Sequence, residues 1–293
     1  MEFSYINAAI AGLVYSVAAI FAKRALAEGA GTLRLSFVIN LVFVPVFAII
    51  LLRHEGAIPW EQWLYPALTG SLFFLGQVFT FAAIRVGDVS LQTPMMGTKA
   101  VFVVIIAVFL GTEEVGLTMI LAAVISMLAV ALLGFSGIQG HKVSLTLGLA
   151  LLSALFFAGS DTMFGAYGRD FGVPMFLFVA ICVNALLSFA LIPFFNGGMR
   201  EISRAAWPWM LLAAVLMAGQ ALLLNFTLAS YQNVAAINVL YTTRGLWSVL
   251  LGLVVVGAAV KLSIADRRIF KLRLAGALMM CAAIGILFYP QSS

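Results

Sequence analysis

The stretch VSLQTPMMGTKAVFVVIIAVFL, residues 89–110, decides the fold. A helix crossing a hydrocarbon core takes about 20 mostly apolar residues, and this run meets that length. One residue is out of character: Lys99 has ten residues of the run before it and eleven after. A basic side chain at the centre of a span costs roughly 2.5–3.5 kcal/mol on insertion scales. From that depth it cannot snorkel comfortably to either surface. Lys99 is therefore expected to face an aqueous or protein-lined interior.

Working outward, the same ruler finds nine more runs: 5–27, 33–52, 62–84, 115–135, 146–168, 174–195, 207–229, 234–257 and 272–289. The polar connections at 28–32 (EGAGT), 168–172 (GRDFG) and 196–198 (NGG) carry turn chemistry. Almost nothing is left over for an extramembrane domain. Of 293 residues, 64% are hydrophobic and 9% charged, against about 45–50% and about 25% in soluble domains. So few charges cannot wet the outside of a globule, which excludes a soluble enzyme, and a disordered chain needs the opposite composition. The chain reads as an all-α polytopic membrane protein of ten transmembrane helices. Trp60, Trp63, Trp207 and Trp209 sit at run ends, where headgroup-level belts favour them.

Residues 1–20 are expected to remain as a first helix. The stretch lacks a basic start, and Lys23 and Arg24 separate it from the Ala25-Leu26-Ala27 that imitates a cleavage site. The formal charge is +5, but the basic residues are scattered in short loops, which points away from nucleic acid. They sort by side instead. Arg53 and Arg169 lie with the termini; Lys23, Arg24, Arg34, Arg85, Lys142, Arg200, Arg204, Lys261, Arg267, Arg268, Lys271 and Arg273 lie opposite. That bias predicts two non-cytoplasmic termini in a cell membrane, the inner membrane of a bacterium.

Residues 87–108 resemble 232–253 at an offset of 145. Val89 meets Val234, Thr98 meets Thr243, Val104 meets Val249, Phe102 meets Trp247 and Lys99 meets Arg244. Gly76-Gln77 has a counterpart in Gly219-Gln220, two residues out of register. The runs thus divide into a first five-helix repeat, 1–135, and a second, 145–290, around the linker 136–144. Five is odd, so the second repeat enters the membrane inverted. Inverted repeats build alternating-access carriers, which hold substrate near the midplane.

At this point the chain resembles the drug/metabolite transporter superfamily, in its ten-helix EamA-like branch. The likeness covers the whole chain, and Val108-Phe-Leu-Gly-Thr-Glu-Glu114 is similar to the branch's apolar run into Leu-Gly-Glu. The second half closes its ninth run with Val255-Val-Gly-Ala-Ala259 and no acid. Plastid sugar-phosphate/phosphate translocators of the same superfamily hold phosphate with a basic residue on helix 4 and adjacent Lys and Arg on helix 9. Here Thr98-Lys99-Ala100 and Asn238-Val-Leu-Tyr-Thr-Thr-Arg244 resemble those elements, with Thr243 in place of the second cation. The resemblance implies a transporter fold and an anionic or zwitterionic cargo.

The residues themselves lead to the same place. Lys99 and Arg244 are buried cations, and Asp161 is the one acid at comparable depth, so at most one cation is neutralised. The other is left for an anionic group; Arg suits a carboxylate or phosphate through its planar fork. The alternative is purely structural pairing. Gln92 and Met96 share the Lys99 side of their helix, and Tyr241 and Trp247 flank Arg244 at helical spacing. Pro94 is expected to kink the fourth span. Asn238 and Gln77 are further candidate contacts, among intramembrane amides that include Asn40, Asn184, Gln220 and Asn225. Most such amides make interhelical bonds worth about 0.6 kcal/mol. Asp161 has three readings: salt-bridge partner, proton site, or ligand for an ammonium group.

Enzyme chemistry finds no constellation. His54 and His141 fall in loops on opposite sides, and Cys182 and Cys281 lie inside apolar runs, so neither a metal site nor a cofactor is expected. Glu113-Glu114 reads as helix-cap or loop carboxylates. The expectation is a secondary transporter of a small organic anion or zwitterion, working by exchange or proton coupling. A flippase gripping a lipid headgroup is the alternative. Partners are the substrate and the bilayer; a homodimer is compatible with the sequence, which does not fix the oligomeric state.

Overall fold

The computed structural model describes residues 2–55, 57–86, 95–111, 113–134, 143–231, 233–256 and 264–287. The helices are α1 (Glu2–Ala27), α2 (Thr32–Ala48), α3 (Leu64–Val86), α4 (Lys99–Leu110), α5 (Leu117–Gly134) and α6 (Val143–Phe171). After them come α7 (Val173–Ser188), α8 (Ala206–Tyr231), α9 (Val234–Tyr241), α10 (Arg244–Val256) and α11 (Ile264–Leu287). Tighter 3₁₀ turns extend α2 through Ile49–Arg53 and α7 through Phe189–Phe194, and another, Met96–Thr98, leads into α4. No strand occurs among the described residues. Within the described residues, each of the ten apolar runs falls on helical segments.

Six segments are long and apolar enough to cross a membrane: Tyr5–Ala27, Thr32–Arg53, Trp60–Val86, Val143–Phe171, Val173–Phe194 and Ala206–Tyr231. The apolar helices Met96–Leu110, Leu117–Leu132 and Leu274–Ile286 are shorter. The outside of the bundle is bare hydrocarbon, with Phe109 90% and Leu52 88% exposed. In water such a surface would drive aggregation, whereas in a bilayer it is the solvated face. The chain is a multi-pass membrane protein. Inside, Phe47, Phe164, Phe171, Phe176, Leu228 and Ile237 form one fully enclosed core.

Neighbours follow a pattern. α3 lies on α6 and α1 on α8; α2 lies on α8 and α3 on α7; α4 lies on α6, while α1 lies on α9 and α10. α2 meets α7, α4 meets α9, and α5 meets α11. Exchanging the first five spans with the last five carries each of these contacts into another of the set or onto itself, whereas the contact of α6 with α8 has no comparable counterpart between α1 and α3 among the described residues.

The ninth run, read from sequence as one helix, is two. Thr242 and Thr243 interrupt it, and their hydroxyls donate to the carbonyls of Val239 and Leu240. Adjacent threonines offer the backbone a competing partner, and the ladder tightens to three-residue bonds there. Residues 97–98 and 242–243 are again 145 apart. Each cation of interest therefore opens a helix just after an irregular turn. Pro94 and most of the linker 136–144 lie outside the described residues.

A candidate cation-lined substrate site

Lys99 is 7% exposed at the start of α4, and its Nζ donates to Asp161 Oδ2 of α6 at 2.6 Å. Asp161 is itself only 3% exposed. Two opposite charges taken out of water together hold each other in place, because either one alone would be stranded in a low dielectric. Of the three readings of Asp161, the geometry realises the ion pair. Lys99 Nζ also stands 5.2 Å from the centre of the Tyr241 ring.

Arg244, the first residue of α10, is placed differently. Its guanidinium lies 4.8 Å from the Tyr241 ring and 4.9 Å from the Tyr15 ring. Those two rings meet nearly edge to face, 77° apart with centroids at 6.3 Å, so the cation sits in the angle between them. Its Nη1 donates to Tyr241 Oη at 3.4 Å, and Tyr241 Oη in turn donates to Gln220 Oε1 at 3.0 Å. Among the described residues no carboxylate forms an ion pair with Arg244. The aromatic faces offer partial compensation, worth about 0.5–2 kcal/mol each, without cancelling its charge.

α1 is what brings the ninth span to this point. A Cβ at Gly12 would stand 3.2 Å from both Arg244 N and Thr243 Oγ1, so a bare glycine lets α1 lie against the break. One turn along, Ser16 Oγ donates to Arg244 O at 2.9 Å and accepts from Ser248 Oγ at 3.1 Å. Gly12, Tyr15 and Ser16 thus share the face that holds the irregular turn, at the three- and four-residue spacing of a helix.

The other sequence candidates are distributed unevenly. Trp247 lies one turn past Arg244, and its buried indole N–H has no hydrogen-bond partner among the described residues. Met96 is in the turn before Lys99, where its sulfur accepts from Ser153 Oγ of α6 at 3.7 Å. Asn238 is fully buried, donates to Val234 O within its own helix, and its Oδ1 has no partner among the described residues. Gln77 is elsewhere: it exchanges two bonds with Asn40 of α2, at 2.9 and 3.0 Å, and accepts from Ser36. The amide that reaches Tyr241 is its counterpart, Gln220. Gln92 lies outside the described residues. Tyr15 was not among the sequence candidates, although a hydroxyl near the middle of the run 5–27 is a signal of the same kind as Lys99.

Glu113 closes one end of the same span. Gly111 ends α4 at a φ of +64°, a left-handed turn that suits glycine. The chain then doubles back, and the Glu113 carboxylate accepts from Val234 N–H and, at 3.3 Å, from Ala235 N–H at the head of α9. Burial pushes the Glu113 carboxyl above its ordinary 4.5, while those two N–H groups pull the other way. All eight residues of α9 are buried, so this cap and Tyr241 sit at the two ends of one enclosed rod.

Residues 2–135 match the model of the EamA-like transporter family. Over those residues the chain is similar to the EamA-like transporter family. The family's members are transporters, as its description states. No curated protein sequence matches the chain. A solved crystal structure is similar over 98% of this chain and 99% of its own, with a TM-score of 0.72 and 15% identity. At that identity the likeness speaks for the fold, and it runs the full length of this EamA-like chain.

Proposed function

We propose that the chain is a secondary active transporter that carries a small organic anion or zwitterion, bearing a carboxylate or phosphate, by alternating access. The observation that carries this reading is the convergence of Lys99 and Arg244 on the ring of Tyr241 with a single acid between them. A half-buried guanidinium at membrane depth, with no carboxylate paired to it among the described residues, is costly unless a ligand supplies the negative charge. Broken helices near the midplane are a common way for carriers to present such groups, and both cations follow an irregular turn.

The carrier is built from two inverted repeats, 1–135 and 145–290. The contacts that survive exchange of the halves support this, as does the common offset of 145 between the two turns and the two cations. Its termini face away from the cytoplasm, by the excess of Lys and Arg in the opposite loops. Neutralising the cations tests the reading: Lys99→Gln with Arg244→Gln abolishes anion binding in a protein that still elutes as a folded species. Unchanged binding would sink it. Counterflow in liposomes separates exchange from uniport, since an exchanger takes up little when the lumen holds no substrate.

A further inference from the structure

Three charged groups act on one another at the centre of the molecule: Lys99, Asp161 and Arg244. Their sum is one positive charge. Around them stand neutral groups, Tyr15, Tyr241 and Gln220. At Arg244 the helix ends do not alter the count, because the break at Thr242–Thr243 sets the carbonyl end of α9 against the N–H end of α10, and their partial charges oppose each other.

From this count we infer that the site takes a single negative charge: a monoanionic carboxylate on Arg244, with the Lys99–Asp161 pair left intact. The inference rests on the anion reading above and narrows its substrate class. A monoanion brings the buried site to neutrality. A dianion leaves one uncompensated negative charge, or must pull Lys99 away from Asp161 and strand that acid. Either course is penalised in a site of low dielectric. The same charge balance admits a zwitterion only if its ammonium lies outside the cluster, since Asp161 already holds Lys99 at 2.6 Å.

Succinate and its monomethyl ester are matched in length and differ by one charge at neutral pH. Titrated into the purified wild-type protein, the monoester binds tighter by about tenfold or more. Two double variants then differ by one unit of net charge. Lys99→Arg with Asp161→Asn carries two permanent cations and no acid, and it reverses the preference toward succinate. Lys99→Gln with Asp161→Asn carries one cation and favours the monoester. Equal or tighter binding of succinate by the wild type overturns this inference and leaves the anion reading standing, as does one shared preference in the two double variants. Failure of both ligands to bind, or wild-type binding by Arg244→Gln, overturns the anion reading itself. Should the Arg-Asn variant not fold, the wild type and the Gln-Asn variant still decide the sign of the preference.

Discussion

Lys99 and Arg244 stand 145 residues apart at the heads of α4 and α10, yet their companions differ in kind. α6 crosses near Lys99 and supplies Asp161. α1 crosses near Arg244, and at the position 145 residues before Asp161 it supplies Ser16, whose hydroxyl goes to the Arg244 backbone. The ring next to it, Tyr15, covers the guanidinium. One cation is thus neutralised by a carboxylate, while the other is only shielded by aromatic faces. The difference teaches that two cations at matching sequence positions can be compensated in different ways, one by an acid and one by aromatic faces.

The largest effect comes from breaking the closed side. Asp161→Asn leaves Lys99 buried without a counter-charge, which costs about 3–5 kcal/mol in such pairs. Chemical denaturation in detergent is expected to show that loss. Replacing both partners, Lys99→Met with Asp161→Leu, restores most of it, because no stranded charge remains. A single variant as stable as the wild type would mean that the pair is solvated.

Making the open side resemble the closed one comes next. Tyr15→Glu puts an acid beside Arg244 and brings the site to neutrality, so affinity for a monoanion falls by about a hundredfold or more. Tyr15→Gln, similar in size and uncharged, separates the effect of charge from the loss of the ring. Equal affinities for the two variants, measured by titration calorimetry, would show that the Glu carboxylate does not engage the guanidinium.

A finer probe leaves charge alone. Tyr15→Phe keeps the ring face and holds affinity near wild type, whereas Tyr15→Leu removes a cation–π contact worth about 0.5–2 kcal/mol. The Leu variant is expected to change ligand affinity while leaving the unfolding midpoint within the spread of the Phe variant. Identical affinities in the two would assign Tyr15 a packing role only.

What was legible in the sequence follows from which physics acts locally. Apolar length is a property of a run by itself, so the described part of each run is helical, and an ionised group inside a run is costly wherever the run is placed, so Lys99, Arg244 and Asp161 stood out. Partner choice depends on which helix faces arrive together. Gln77 and Gln220 look alike in sequence, each after a glycine. Gln77 finds Asn40 on α2 and is used up there, while Gln220 meets Tyr241. In the second half Asn184 is one residue from the position matching Asn40, and its amide has no partner among the described residues. The break in the ninth run had a local cause, the paired threonines at 242–243, that apolar length alone overlooks. Tyr15 was hidden because α1 is apolar all round, so nothing in its pattern marks the face that turns toward Arg244.

The smallest effect tests the asymmetry at the end of the bundle. Glu113 caps α9, whereas 145 residues later the chain has Ala258. Burial raises the Glu113 carboxyl above 4.5, so the folded state holds this proton more tightly than the unfolded chain does. Stability from this group is then fully present below 4.5 and is lost as pH rises through the higher folded value. Glu113→Gln cannot ionise but keeps a carbonyl for Val234 N–H, so its stability lacks that dependence. Subtracting the two unfolding curves across mildly acidic pH removes every titration the variants share. Wild type is expected to weaken relative to Glu113→Gln as pH rises. A difference of the opposite sign would mean that the charge-assisted bonds to α9 outweigh the cost of burying the carboxylate, which would make the ionised cap a net brace on the rod that ends at Tyr241.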